Sequence, residues 1–167
     1  GVVRTRVGYA GGTKRDPTYH ALGDHTEALQ VEYDSAEITY RDLLAVAFRN
    51  HSPRHQTRKT QYQHILFTET AAQREALDDY LAAEGLTADI ETRIEPLGEF
   101  SVGEDYHQKH SLRSRPGLAD AFDAADYDDD ALRDSPAAAT LNGHAGGHDL
   151  PDGDDLATIV ARTGRER

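Results

Sequence analysis

A glycine-rich loop between two alternating segments constrains the fold of this chain more than any other feature. The loop starts in the run Gly8-Tyr9-Ala10-Gly11-Gly12, carries Pro17 ahead of Tyr19, and ends in residues 23–27, Gly-Asp-His-Thr-Glu. Glycine lets the main chain turn where a Cβ would clash, and proline fixes φ. We therefore predict a rigid loop that presents functional side chains. An ordinary glycine-rich turn is the alternative.

Hydrophobic periodicity predicts strands and helices around this loop. The predicted elements are strands over residues 2–9, 29–33, 62–67 and 90–95, a helix from the Thr39 cap to about Asn50, and a helix over 71–83. Alternation of apolar and polar side chains indicates the strands, and apolar positions at helical spacing or strong helix formers indicate the helices. Glu27 is placed just before the second strand. The order β, β, α, β, α, β predicts a mixed α/β (α+β) domain.

The composition changes beyond Arg113, where alanine, aspartate and glycine dominate and prolines recur. We predict one domain over residues 1–113 and an extension over 114–167, with short helices over 118–125 and 156–162. The extension is expected to pack on the domain. Disorder is the alternative for a segment of this composition.

The overall charge limits the class of partner. The formal net charge is −12, with aspartate runs at 128–130 and 154–155. Such a surface repels phosphate, so no nucleic acid is expected as a partner. We interpret the aspartates as solvated faces of a halophilic protein from a salt-rich cytoplasm. No stretch of transmembrane length is present, and no membrane partner is expected.

The residues available for metal, cofactor or thiol chemistry are restricted. The chain has nine histidines and no cysteine. Four histidine pairs are closely spaced, but no H-E-x-x-H motif or cysteine accompanies them, so no metal is expected. The G-x-G-x-x-G spacing is absent from the glycine-rich loop, and no cofactor is predicted. The start at Gly1 rather than at methionine suggests a missing upstream segment.

Three ordered motifs resemble the A-type peptide methionine sulfoxide reductases, MsrA. They are GYAGG at 8–12, PTY at 17–19, and GDHTEAL followed by VEYD between 23 and 34. The resemblance extends over residues 1–113 and implies a ferredoxin-like two-layer sandwich, preceded in the family by a strand and a helix. It implies reduction of methionine-S-sulfoxide, free or in proteins, for repair of oxidative damage.

The resemblance also implies roles for individual residues. Glu27 matches the family's catalytic glutamate, which in a partly apolar pocket acts as general acid. Tyr19 and Tyr62 match two tyrosines whose hydroxyls point at the sulfoxide oxygen. Gly11 and Gly12 belong to the substrate-binding loop. His107, in the stretch GEDYHQKH at 103–110, carries over as a pocket residue, and His110 stands where the family has tyrosine.

Other parts of the chain depart from the family pattern. The family's nucleophile is a cysteine in a GCFWG motif, which is expected upstream of Gly1. Thr57 stands where the family has an aspartate, and no resolving cysteine is present. The resemblance therefore implies that thioredoxin or another external thiol reduces the sulfenic acid directly. A non-catalytic sulfoxide-binding module or a gene remnant is the alternative.

Overall fold

The computed structural model describes residues 1–163 and confirms the mixed α/β class, with five strands and seven helices in that range. The strands are β1 (Val2–Ala10), β2 (Thr26–Tyr33), β3 (Ile65–Thr68), β4 (Arg93–Pro96) and β5 (Ser101–Val102). The helices are α1 (Tyr40–Arg49), α2 (Ala71–Ala83), α3 (His110–Arg113), α4 (Pro116–Asp123), α5 (Asp129–Asp134), α6 (Pro136–Ala145) and α7 (Leu156–Thr163), and single 3₁₀ turns span Thr60–Tyr62 and Asp105–His107.

Two sheets are formed. The first has the order β2-β1-β5, and β5 runs antiparallel to β1 with Gly8 opposite Val102. A Cβ on Gly8 would lie 2.2 Å from the carbonyl oxygen of Ser101, so this close pairing requires glycine. The second sheet pairs β3 with β4 in parallel, with α2 as the connection. This β-α-β unit is an element of the ferredoxin-like arrangement that the resemblance implies.

Compact packing divides the chain into two units. The first contains Gly1, residues 8–28 and residues 35–102, and the second contains residues 2–7, residues 29–34 and the described residues from 103 onward. The division at 102 and 103 differs from the domain boundary predicted at 113 and 114, which stays a prediction.

The core of the first unit lies between α1 and α2. Leu44 and Phe48 of α1 pack with Leu77, Tyr80 and Leu81 of α2, and all five are buried. Both helices begin at the predicted positions because threonine capping boxes, at Thr39 and Thr70, satisfy backbone N–H groups of the first turn. α2 has the predicted bounds.

The second unit has its own apolar core. Its buried members come from α3 to α7: Leu112, Phe122, Leu132, Ala137, Ala138, Leu141 and Ile159. The disorder alternative for the C-terminal extension is therefore wrong for the residues that the structure describes. The helices predicted at 118–125 and 156–162 are confirmed as α4 and α7, within two residues at each end.

Three predicted strand positions are wrong. Glu27 lies inside β2, which begins at Thr26, rather than before it. Tyr62 ends a 3₁₀ turn, because its N–H donates to the carbonyl of Lys59, and β3 begins only at Ile65. β4 begins at Arg93, since the Pro53 carbonyl accepts the N–H groups of Glu91 and the following residue instead.

Within residues 1–163, none of the helices has the length and apolar character required to cross a membrane.

Candidate active site

The glycine-rich loop of the first unit is closed on itself by the Asp24 carboxylate. That group accepts the backbone N–H of Thr13 at 2.9 Å, its hydroxyl at 2.9 Å, and the N–H of Lys14 at 3.2 Å. The backbone and side-chain hydrogen bonds from Thr13 lower the pKa of Asp24 to about 2. The ionised Asp24 carboxylate therefore connects residues 13 and 14 with the end of the loop.

His25 provides the second closure of the same loop and is 3% exposed. Its Nδ1 lies 3.3 Å from the N–H of Gly12, and its Nε2 lies 2.8 Å from the carbonyl oxygen of Lys14. Accepting at Nδ1 and donating from Nε2 requires the neutral imidazole with its proton on Nε2. Both ring nitrogens thus have backbone partners, which is an ordinary hydrogen-bonded histidine rather than a metal ligand.

His51 has the same character, because its ring nitrogens lie 2.8 Å from the Ala47 carbonyl oxygen and 2.8 Å from the Thr92 hydroxyl. Among residues 1–163, no three histidine, aspartate or glutamate side chains are grouped so that they would hold a metal ion.

Two glycines of the loop are required by its geometry. Gly11 has φ of +79°, and a Cβ there would lie 2.9 Å from the Phe67 ring. A Cβ on Gly12 would lie 2.6 Å from the backbone nitrogen of His25. Side chains at these positions would force the backbone or the ring to move. The loop predicted from the sequence is therefore closely packed at both glycines.

Glu27 lies at the start of β2 and contacts the turn Thr60–Tyr62. The buried Thr26 hydroxyl donates to the Thr60 carbonyl at 2.6 Å, and the Gln61 Nε2 donates to Glu27 Oε1 at 2.6 Å. The Glu27 side chain is exposed, and it accepts this hydrogen bond from a polar side chain. The partly apolar pocket expected around this carboxyl stays a prediction.

Tyr19 and Tyr62 meet on the same side of this unit. A hydrogen bond to Tyr62 raises the pKa of Tyr19, and burial and the nearby Glu27 carboxylate act in the same direction. Because a hydrogen bond that raises the pKa of a phenol stabilises its protonated form, Tyr19 holds its proton in this contact. The ammonium Nζ of Lys59 lies 4.2 Å from the centre of the Tyr62 ring.

The structure thus brings together three of the six predicted site residues, Tyr19, Glu27 and Tyr62. Gly11 and Gly12 lie in the loop that carries Tyr19, within the same unit. His107 belongs to the second unit, in the 3₁₀ turn Asp105–His107, where its ring lies 4.2 Å from the Tyr106 ring.

The sequence reasoning did not single out two members of this cluster, Gln61 and Lys59. Gln61 precedes Tyr62 in the turn Thr60–Tyr62, from which its amide reaches Glu27. Lys59 lies two residues after Thr57, the residue that stands where the family has an aspartate. Its N–H donates to the Thr57 hydroxyl at 3.2 Å, which is the contribution of the residue found in place of an aspartate.

This arrangement suits the protonation of an oxygen atom. A carboxyl group and two phenol hydroxyls lie within one polar cluster, and each can donate a proton or a hydrogen bond in its neutral form. Hydroxyl donors that converge on one point stabilise negative charge developing there. The described residues contain no thiol, so the cluster supplies donors rather than a sulfur nucleophile.

Comparison with known families gives a match over most of the chain. The family model described as "Peptide methionine sulfoxide reductase" matches residues 1–135. This range contains all six predicted site residues.

Individual relatives agree with this match. The chain is 37% identical over 153 residues to peptide methionine sulfoxide reductase A5 of Oryza sativa subsp. japonica, covering 87% of this chain and 59% of that protein. It is 40% identical over 121 residues to peptide methionine sulfoxide reductase MsrA of Haloquadratum walsbyi, covering 66% of this chain and 70% of that protein. The chain spans about three fifths of the length of the first curated relatives it matches.

Two solved structures support the fold. The crystal structure of Mxr1 from Saccharomyces cerevisiae in reduced form has a TM-score of 0.62 and 30% sequence identity, covering 69% of this chain and 72% of that one. That of methionine sulfoxide reductase A of Corynebacterium diphtheriae gives 0.56 and 35%, covering 70% and 65%.

Proposed function

The chain belongs to the peptide methionine sulfoxide reductase family, and we propose that it acts in the reduction of methionine-S-sulfoxide to methionine, free or in oxidised proteins, as repair of oxidative damage. The observation that carries the proposal is the cluster of Tyr19, Glu27 and Tyr62. The hydrogen bonds of Gln61 to Glu27 and of Tyr19 to Tyr62 connect the three residues.

The reaction requires a proton donor and a sulfur nucleophile. A thiolate attacks the sulfoxide sulfur, the sulfur–oxygen bond breaks, and the oxygen is transferred to the attacking sulfur as a sulfenic acid while one proton is taken up. Methionine leaves as the reduced product. Because these 167 residues contain no cysteine, the thiol comes from outside them.

The cluster supplies the proton-donating half of this reaction. Glu27 in its protonated form transfers a proton to the sulfoxide oxygen, and Gln61 holds the carboxyl in place through the 2.6 Å hydrogen bond. The hydroxyls of Tyr19 and Tyr62 donate hydrogen bonds to the same oxygen. They stabilise the negative charge that the oxygen gains as the sulfur–oxygen bond breaks. Gly11 and Gly12 keep the Tyr19 loop in shape. The role of His107 as a substrate-binding residue stays a prediction.

An external dithiol such as thioredoxin is the proposed reductant. Two thiols reduce a sulfenic acid to the thiol, releasing water and forming one disulfide. The chain offers no resolving cysteine of its own. We further propose that the protein works in a salt-rich cytoplasm, because salt screens the repulsion implied by the net charge of −12.

Replacing Glu27 by Gln in the full-length protein tests the proposal. The variant keeps a side chain of the same size but donates no acidic proton, so kcat for methionine-S-sulfoxide should fall by about 10²- to 10⁴-fold. Methionine formation with dithiothreitol as reductant is the measurement, and methionine-R-sulfoxide is the stereochemical control. Glu75→Gln, an exposed glutamate of α2, should keep the wild-type rate.

A wild-type rate in Glu27→Gln would contradict the role of this carboxyl. Binding of methionine-S-sulfoxide by the full-length protein with no turnover under any thiol would contradict the reductase and favour the sulfoxide-binding module.

A further inference from the structure

Lys59 is a cation held against a tyrosine of the proposed active site. Its Nζ lies 4.2 Å from the centre of the Tyr62 ring, inside the distance at which an ammonium is attracted to the electron-rich face of an aromatic ring. Tyr62 is 45% exposed. Burial alone does not fix the orientation of a ring with so much exposed surface. The contact with the Lys59 ammonium therefore contributes to the orientation of the Tyr62 ring.

The backbone on both sides of this contact is fixed. The N–H of Lys59 donates to the Thr57 hydroxyl at 3.2 Å, and its carbonyl accepts the N–H of Tyr62 at 2.9 Å. The Thr26 hydroxyl holds the next carbonyl, that of Thr60, at 2.6 Å. Lys59 and Tyr62 are therefore placed by one short turn that is attached to the start of β2.

We propose that Lys59 is a positioning residue for the two tyrosine hydroxyls, acting through the Tyr62 ring. Its ammonium holds the ring over the site and stabilises negative charge that develops on the paired hydroxyls as they share their protons with the sulfoxide oxygen. This inference rests on the proposed function. Lys59 itself does not reach the reacting atoms.

The charges around the tyrosine pair give the effect a definite sign. Tyr19 faces the Tyr62 hydroxyl, the Glu27 carboxylate and Lys59, and its ring meets that of His20 edge-on at 5.2 Å between centres. The Tyr62 hydrogen bond and the Glu27 charge raise the pKa of Tyr19, whereas Lys59 lowers it. Lys59 is the cation in this set that opposes the carboxylate, so its removal leaves the hydroxyls poorer donors.

Titration of Tyr19 in the 167-residue chain tests the contact without requiring turnover. With tyrosine labelled at Cζ, the NMR midpoint of Tyr19 should move to higher pH in Lys59→Met and stay at the wild-type value in Lys59→Arg. Arg58→Met is the matched control, because it removes a neighbouring exposed cation that makes no ring contact in the described structure. An unchanged midpoint in Lys59→Met, or an equal shift in Arg58→Met, would overturn the proposal.

Kinetics of the full-length protein test the consequence for the reaction. Lys59→Met should lower kcat for methionine-S-sulfoxide by about two- to fivefold, the loss expected for one exposed cation–π contact, with KM nearly unchanged. Lys59→Arg should restore the rate. A shifted Tyr19 midpoint together with wild-type kcat would overturn the role in the reaction. If wild-type protein lacks turnover altogether, the proposed function fails, and the titration still decides whether Lys59 acts on the tyrosines.

Discussion

The candidate site and the C-terminal residues are stabilised by different kinds of interaction. Around Tyr19 and Glu27, the loop and the turn Thr60–Tyr62 are connected by side-chain hydrogen bonds to backbone groups, with Asp24, His25 and Thr26 as the anchors. In the second unit, α3 to α7 share a core of leucine, phenylalanine, alanine and isoleucine. Directional bonds fix the position of functional groups, whereas buried apolar area supplies most of the folding free energy.

The largest expected effect on stability belongs to the apolar core of the second unit. Phe122 is 2% exposed in the core of the second unit, so Phe122→Ala removes most of a buried aromatic ring and leaves a cavity. We expect the free energy of unfolding to fall by about 3–5 kcal/mol in urea titrations. The control Leu29→Ala, at a side chain 62% exposed, should change it by less than about 0.5 kcal/mol. Equal losses of unfolding free energy in Phe122→Ala and Leu29→Ala would contradict the role of this core.

A buried lysine of the second unit gives the next effect. The Lys109 Nζ donates to the carbonyls of Thr5 at 2.6 Å and Arg133 at 2.7 Å. Lys109→Met leaves both carbonyls without this donor and should cost about 1–3 kcal/mol of unfolding free energy at pH 7. No loss of stability would show that water replaces the ammonium.

The same lysine should also make stability depend on pH. Burial lowers the pKa of Lys109 from 10.5 to about 8, so the unfolded chain binds more protons than the folded chain between these values. The stability of the wild type relative to Lys109→Met should therefore rise as pH increases from 8 to 10.5, and be lost again as pH falls from 10.5 to 8. A pH-independent difference would contradict the burial of a charged group.

In the glycine-rich loop, Gly12 gives an effect on stability of similar size but a more local one. A Cβ at Gly12 would meet the His25 backbone at 2.6 Å, whereas one at Gly98 would meet nothing within 4 Å. Gly12→Ala should cost about 1–3 kcal/mol and shift the NMR signals of Tyr19. Gly98→Ala should leave both unchanged within about 0.5 kcal/mol. Matching behaviour of the two variants would show that the loop is not tightly packed.

The smallest effect is confined to the loop. Asp24 has a pKa of about 2, below its ordinary value of 3.8, so its hydrogen bonds stabilise the loop above pH 3.8 and are lost as pH falls through 2. The amides of Thr13 and Lys14 should lose protection against hydrogen exchange over that range. Asp152→Asn, at an exposed aspartate, is the control for general acid effects. Constant protection down to pH 1.5 would contradict the closure by Asp24.

The sequence predicted best those elements whose signals are local. α2 and the ends of α1 follow from threonine caps and helical spacing, and β1 follows from alternation. The helices α5 and α6 were not predicted, although Asp128 and Ser135 cap them. Their alanine-rich and aspartate-rich composition hid the short apolar pattern that packs into the core.

The candidate site was predictable in its residues but not in its contacts. The resemblance to the family singled out Tyr19, Glu27 and Tyr62 from the sequence alone. The contact of Gln61 with Glu27, and that of Lys59 with Tyr62, depend on a 3₁₀ turn that is attached to β2 by the hydrogen bond from Thr26 to Thr60, 34 residues away in sequence. Alternation of apolar residues carries no information about such a long-range bond.

The measurement that tests the central claim most directly is a double-mutant cycle on the two tyrosine hydroxyls. The kcat for methionine-S-sulfoxide would be compared in the full-length wild type, Tyr19→Phe, Tyr62→Phe and the double variant. If the hydroxyls act together on one oxygen, each single variant should lose rate, and the double variant should lose less than the product of the single losses. Wild-type rates in the single variants, or independent losses that multiply, would contradict the claim.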